Sequence, residues 1–395
     1  MNSEHKIKQN LVKDIERLRS REGYLNAGFP HYHTLFGRDS LISAWQTLDF
    51  DASVAKNTLK ILAKHQALGQ DRKKEGEFGK ILHEYRLKPE TQKELPSWGW
   101  PYYGSVDSTS LFLMVLYKYT QKTDDKRLLN SLWKNAKMAL EWHLNKSVEN
   151  EYGFITYKRT NPAGLFHQGW KDSVIDHLKI RPPVAIIEEQ GYAYMAYRNF
   201  AQMANILDKD SALREKALRA AELMRENLLK YFWWEEEKYF AIGLDDKNMQ
   251  RKSIASNAGH LLLCDNLLDN EQAGLIRDRL FKKDMWTPGG IRTLSDKDPD
   301  FDAFAYHLGS IWPHDNWFIY MGLKMRGFDK DALKIKKAFK KAYLELEHMP
   351  ELFAVQNSKI LPIKHVEISE RQNHKHTVAN PLQAWASGAL LDMLK

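Results

Sequence analysis

The chain has 395 residues, 43% hydrophobic and 28% charged, with a formal net charge of +8. This is the composition of a globular protein, which excludes disordered and collagen-like classes, and a chain of this size buries a large core unaided. Its one cysteine, Cys264, excludes an intramolecular disulfide. The start, Met1–Lys6, lacks an apolar leader and no apolar run reaches the length of a membrane span. A cytoplasmic protein without a membrane partner is expected. The surplus of lysine falls along helical faces, as in Lys334, Lys336, Lys337, Lys340 and Lys341. That is the pattern of a solvated face, so no nucleic-acid partner is expected. The 12 Trp, 17 Tyr and 17 Phe exceed the needs of a core and suit an aromatic cleft.

Helical periodicity dominates and strand-like alternation is nearly absent. In chain order it predicts helices over Ser3–Leu18, Asp39–Leu48, Asp51–Ala67, Val106–Thr120, Asp124–Leu144 and Pro183–Ile206. Six more follow over Ser211–Tyr231, Ser256–Leu267, Asn270–Phe281, Pro313–Met325, Asp329–His348 and Pro381–Leu394. The odd members are charged over most of their circumference. The even ones are apolar nearly all round, as buried helices are. Six buried helices alternating with six covering ones describe an all-α (α/α)6 barrel, and no linker divides residues 1–395 into two domains.

Polar loops precede the even helices: Phe36–Ser40, Tyr103–Asp107, Ser256–His260, Gly309–Asp315 and Asn380–Gln383, with Glu188–Tyr192 inside its helix. Each alone reads as an ordinary cap. Six matched caps on helices that start at one end of a barrel describe one concave mouth. The gaps Gly69–Pro101, Glu149–Arg181, Ala241–Ile254 and Lys282–Gly309 are long enough to be functional loops. Gly69–Leu95 reads as a charged flap, and Tyr152–Tyr157 as a small strand.

The mid-chain loop Gln168-Gly169-Trp170-Lys171-Asp172-Ser173 places a carboxylate beside an indole. An indole stacks on sugar faces. It also desolvates a neighbouring carboxyl and raises its pKa, which makes a general acid. Lys171 would oppose that shift if it faced Asp172, so it is expected to turn away or to bind the sugar. Taken alone, the hexapeptide reads first as a loop whose Trp fills the core and whose Asp caps a turn, and the arrangement of the rest of the chain around it reverses that order. Arg38 and Asp39 open an inner helix, where a local ion pair and a cap are the ordinary reading. His31, His33 and His65 make no metal-ligand set, and neither metal nor cofactor is expected.

The ordered set Phe36–Ser40, Tyr103–Asp107, Gln168–Ser173, Gly309–Asn316 and Gln383–Ala386 resembles the catalytic domain of the bacterial amylo-α-1,6-glucosidase (glycogen-debranching) proteins, within the six-hairpin glycosidase superfamily. The resemblance spans nearly the whole chain. It implies an (α/α)6 barrel and an inverting glycosidase, which uses an acid and a base on opposite sides of the scissile bond. Asp172 matches the position of the general acid. Glu351, in Met349-Pro350-Glu351-Leu352-Phe353, resembles the general base, with Glu188, Glu189 and Glu367 as rivals. Arg38 and Asp39 resemble a clamp on the non-reducing-end sugar. Tyr103, Asp107, Trp170, Lys171, Glu188, Gln190, Trp312, His314 and Asp315 complete the expected substrate-contacting set.

Two departures bear on the substrate. Bacterial relatives tend to carry a β-rich domain before the barrel, and this chain opens on barrel helices, which argues against a large branched polymer. A glycine-containing loop tends to follow Pro-Glu-Leu-Phe, where this chain has Ala354-Val355-Gln356-Asn357. The first reading is an exo-acting α-glucosidase on gluco-oligosaccharides. The second is a hydrolase of glucosylglycerate, mannosylglycerate or trehalose. An epimerase or lyase working through His260, His307 or His314, and a silent sugar-binding barrel, are the further alternatives.

Overall fold

A computed structural model describes residues 3–86, 89–363 and 379–395 of the chain. Its helices are α1 (Ser3–Leu18), α2 (Gly37–Gln46), α3 (Ala52–Lys64), α4 (Pro89–Gln92), α5 (Ser108–Thr123), α6 (Lys126–Ser131) and α7 (Trp133–Ser147). After them come α8 (Ile187–Leu207), α9 (Ser211–Tyr231), a 3₁₀ helix (Ser256–Leu263), α10 (Asn270–Leu280), α11 (Pro313–Met325), α12 (Asp329–Leu346) and α13 (Ala384–Met393).

The apolar segments are the interior ones. Every residue of α2, of the 3₁₀ helix and of α13 is buried. The charged segments bury a single stripe: α9 covers only Ala217, Ala221, Met224 and Leu228, spaced as one helix face. The buried elements touch in a closed cycle. α2 packs on α5, α5 on α8, α8 on the 3₁₀ helix, that helix on α11, α11 on α13, and α13 back on α2. The charged helices lie outside this cycle, with α1 against α13, α3 against α2, α9 against α8, α10 against the 3₁₀ helix and α12 against α11. No helix among the described residues is long and apolar enough to cross a membrane.

The entries to the inner helices differ from expectation. None of the six carries a side-chain cap hydrogen bond. Side-chain caps sit on the outside instead: Asp51 on α3, Asp125 on α6, and a reciprocal Asp269–Gln272 capping box on α10. Short extended pairings take the place of caps inside. Leu35–Phe36 pairs with Glu84–Tyr85, Ala185–Ile186 with Gly243–Leu244, and Leu382–Gln383 with Gly28–Phe29. Single bridges Ala255 to Leu294 and Ile311 to Phe353 do the same before the 3₁₀ helix and α11. A ladder fixes the entering chain through its backbone, so the first-turn side chains are not needed as caps.

Four further expectations change. Asp124–Leu144 is two helices, interrupted at Leu132, where the Ser131 hydroxyl donates to Leu128 O at 2.8 Å and competes with the helical ladder. Ser256–Leu263 is 3₁₀, and three residues per turn set Asn257 and His260 on one side. Tyr152–Tyr157 forms no ladder, only a bridge from Tyr157 to Val184. The charged stretch after Gly69 is strapped down by the Asp71–Gly76 bridge and by the Ala67–Lys80 and Gly79–Ala67 backbone bonds. After Glu351, strands Phe353–Gln356 and Lys359–Pro362 form a hairpin whose turn residues, Asn357 and Ser358, have φ of 49° and 61°. The left-handed geometry that favours glycine is met here by asparagine and serine.

Candidate active site

Arg38 organises the loop that carries Asp172. It stands in the first turn of α2, 2% exposed. Its Nε donates to Asp107 Oδ2 at 2.7 Å and its Nη1 to Asp172 Oδ2 at 2.8 Å. Its Nη2 donates to the carbonyls of Gln168 at 3.2 Å and Gly169 at 2.8 Å. One planar guanidinium thus fixes an inner-helix entry, the acid-loop backbone and the loop's carboxylate together. Gly169 belongs to the same fit, since a Cβ there would lie 2.1 Å from Ile186 Cδ1. On the far side of the loop, the buried Glu75 carboxylate accepts the Thr160 and Asn161 N–H groups at 2.9 Å each and the Gln168 side-chain amide.

Asp172 is about one-quarter exposed, facing a cleft of about 450 Å³ lined by the 172–179 and 299–308 segments. Burial raises its pKa while the Arg38 charge and hydrogen bond oppose the rise. Glu351 is 2% exposed. Its Oε1 accepts from the Tyr306 hydroxyl at 2.5 Å and its Oε2 from the Asn380 N–H at 2.9 Å. Both oxygens act as acceptors, as in a carboxylate, but burial and the nearby Asp172 charge lift Glu351 to about 7 against the two donors. Asp39 accepts from Gln383 Nε2 at 3.1 Å. Burial lifts it to about 8, with Asp172, Glu351 and Asp107 adding to the rise and Arg38 opposing it. Asp39, Asp172 and Glu351 therefore share one electrostatic neighbourhood, contributed by three distant parts of the chain.

The expected substrate contacts divide into two groups. Several have their polar groups engaged by the protein itself. Arg38 and Asp107 are bound to each other, and Asp107 also receives the Ser105 hydroxyl at 2.8 Å. Gln190 bonds Ile155 N at 2.9 Å and donates to Ile155 O and Ile186 O at 3.0 Å each. The Tyr103 hydroxyl donates to His65 O at 2.7 Å. The Lys171 ammonium turns to Thr293 O at 2.7 Å and packs on the Trp170 ring, and burial lowers its pKa to about 8. Trp312 donates through Nε1 to Tyr306 O at 2.7 Å, and so supports the loop that bears Tyr306.

The second group is buried with polar atoms that find no partner among the described residues. It comprises both Glu188 oxygens, both His314 ring nitrogens, Asp315 Oδ2 and Trp170 Nε1. Buried polar atoms are almost always hydrogen-bonded, so these are groups with hydrogen-bonding capacity to spare. Burial raises the pKa of Glu188 and pushes His314 well below its usual value. His314 stacks on Trp385 at 3.8 Å between ring centres and meets Trp170 edge-on. His260 is not free: Asp315 holds Nε2 at 2.7 Å and Tyr192 holds Nδ1 at 2.5 Å. Glu189, a rival for the base, accepts from Ser110 at 2.7 Å in a network with His143. The third rival, Glu367, lies outside the described residues.

Sequence reasoning missed Tyr306 and Tyr32, and placed Asn380 in a mouth loop without giving it a role. Tyr306 bonds the candidate base directly. Tyr32, with φ of 62°, lies in the fields of Glu351 and Asp172. A tyrosine in the left-handed region is uncommon and costs energy. The long Lys282–Gly309 gap was the available signal for Tyr306, and nothing local singled out Tyr32. No group of three or more His, Cys, Asp or Glu among the described residues is placed to hold a metal ion.

A sequence model of the amylo-α-1,6-glucosidase family matches residues 85–392. No curated protein matches the chain. Among solved structures, a GH63 mannosylglycerate hydrolase from Thermus thermophilus, in complex with Tris, is similar at TM-score 0.71 and 12% identity, over 98% of this chain and 99% of that one. The same enzyme with glucose aligns at TM-score 0.72 and 14% identity, over 98% and 100%. A rhamnosidase from Klebsiella oxytoca, with rhamnose bound, aligns at TM-score 0.65 and 14% identity, over 98% of this chain and 63% of that chain. At these identities the likeness establishes a shared helix-rich fold.

Proposed function

The chain belongs to the amylo-α-1,6-glucosidase family of glycoside hydrolases, and from that premise we propose that it is an inverting, exo-acting α-glucosidase on gluco-oligosaccharides. The closed cycle of buried helices supports reading the fold as one (α/α)6 barrel over residues 1–395. The observation that carries the function is the unequal carboxyl pair. Asp172 stands on the cleft wall, held by Arg38, and Glu351 is buried within reach of its field.

In this reading Asp172 protonates the glycosidic oxygen as the bond breaks. Glu351 removes a proton from a water that attacks the opposite face of the anomeric carbon. Tyr306 and the Asn380 N–H orient the base. Asp39, Glu188, His314, Asp315 and Trp170 bind the sugar hydroxyls and ring. Arg38 and Asp107 position the acid and do not themselves clamp the sugar.

The test is hydrolysis of isomaltose, panose and maltose, followed by NMR of the first product. β-Glucose appearing first from an α-glucoside is expected. A retained anomer, or no hydrolysis of any glucoside, would overturn the reading. A second reading, a hydrolase of a glycosylglycerate, draws on end-to-end alignment with the mannosylglycerate hydrolase, and glucosylglycerate in the same assay tests it.

A further inference from the structure

If Asp172 protonates the leaving oxygen, the departing group lies on its side of the scissile bond. That side is the cleft between the 172–179 and 299–308 segments. Its lining is rich in carboxyl groups, of which Asp172 is paired with Arg38. Asp172, Asp176, Asp300 and Asp302 line it, and Lys179 is the one lysine or arginine among its described lining residues. Lys179 is ion-paired to Asp300, and Arg251 reaches the same carboxylate at 3.1 Å. Asp176 accepts from His167 at 2.8 Å and from the Ile180 N–H at 3.1 Å. Asp302 receives the Phe304 N–H at 2.9 Å and has no ion-pair partner among the described residues.

A second observation is independent of charge. His307 lines the same cleft, 4% exposed, with Nε2 unpartnered among the described residues. His177 lies beside it, 5.4 Å between ring centres. A neutral imidazole has one acceptor nitrogen, which receives an N–H or O–H, and one N–H donor. The cleft therefore offers acceptors and a negative field, and no cation free to receive a carboxylate. Sites that bind carboxylates supply an arginine or lysine for that purpose.

We propose that the leaving-group side of this site takes a cationic aglycone, an amino sugar or amine-bearing polyol, and disfavours a carboxylate-bearing one. This rests on the glycosidase reading above. The chemistry is unchanged: water adds across the anomeric C–O bond, giving glucose and the free amino alcohol. One charge a few ångströms from an unpaired carboxylate alters binding about fivefold even at the dielectric of water.

The test uses three α-glucosides of one size, with leaving groups 2-aminopropane-1,3-diol, glycerol and glycerate. At low ionic strength kcat/KM is expected to fall in that order, by about fivefold per unit of charge. The spread should shrink in 0.5 M salt, where the screening length is only a few ångströms (about 3 Å at 1 M). Asp302→Asn, which keeps the acceptor for Phe304 N–H, should narrow it at low salt. A flat series, or glycerate as the best leaving group, would overturn the inference and leave the glycosidase reading standing. Cleavage of gluco-oligosaccharides but of none of the three would do the same. No hydrolysis of any glucoside would remove both.

Discussion

Tyr306 donates to Glu351 Oε1 at 2.5 Å, and that donor stabilises the ionised form. A base must be ionised to act, so kcat/KM should decline on the acid side below about 7, the value to which burial lifts Glu351. Tyr306→Phe removes a donor from the charged form and raises the pKa further. The acid limb of the pH–rate profile should therefore move to higher pH, and an unmoved limb would dissociate Glu351 from the base. Asp172 and Glu351 should also differ by leaving group. Asp172→Asn should lose about 10²–10⁴-fold on sugar leaving groups and much less on glucosyl fluoride, which needs no proton. Glu351→Gln should lose activity on both, as measured by initial rates on matched substrates. If full activity survived Glu351→Gln, the base would have to be sought at Glu188, a buried carboxyl whose pKa is raised by burial.

At the scale of elements, the acid loop is shaped by contacts with two inner-helix entries. Arg38 from α2 gathers its carbonyls, and the residue before α8, Ile186, closes over Gly169. Gly169→Ala puts a methyl 2.1 Å from Ile186 Cδ1, so loop or side chain must shift. Since a misplacement near 1 Å can cost about 10²-fold, kcat should drop with little change in fold. Ile186→Val removes the clashing atom, and the double variant should recover most of the loss. No recovery would mean that the glycine serves some other need. Much of this level was legible from sequence: α1, α9 and α11 begin and end where periodicity places them. The entries were not, because the sequence motif for a cap is the same whether the side chain turns back to the helix or into a cavity. Inside the ring the backbone pairings hold the chain, which leaves first-turn residues such as Asp39 and Asp315 available.

For the whole molecule, the buried carboxyls tie stability to pH. Asp39 is held at about 8 against an ordinary 3.8, and Glu84 and Glu351 at about 7 against 4.5, chiefly by burial. Each folded-state pKa is raised, so between those limits the folded chain keeps protons that the unfolded chain has released. Their contribution is fully present below about pH 4 and is lost as pH rises through 7 to 8. The unfolding temperature should reflect that fall across this window, and Asp39→Asn, which cannot ionise, should flatten it. An Asp39→Asn variant with an unchanged slope would show that Asp39 is not held protonated.

Sequence by itself determined the alternation of buried and covering helices, because burial on all sides demands apolar residues on all sides and periodicity records that directly. Through the resemblance of the motifs around them, it also made Asp172 and Glu351 the candidates for acid and base. Tertiary structure alone decided which polar residues are bonded within the protein and which are left without a partner among the described residues. Arg38 and Gln190 occur in the same motifs as Asp39 and Glu188, and Asp107 in a matching one, yet their hydrogen-bonding groups are engaged by partners 69, 35 and 69 residues away. The sense in which a side chain points across a ring of helices depends on how the ring closes. Tyr306 meets Glu351 and Gln383 meets Asp39 across 45 and 344 residues, separations over which no local pattern carries information.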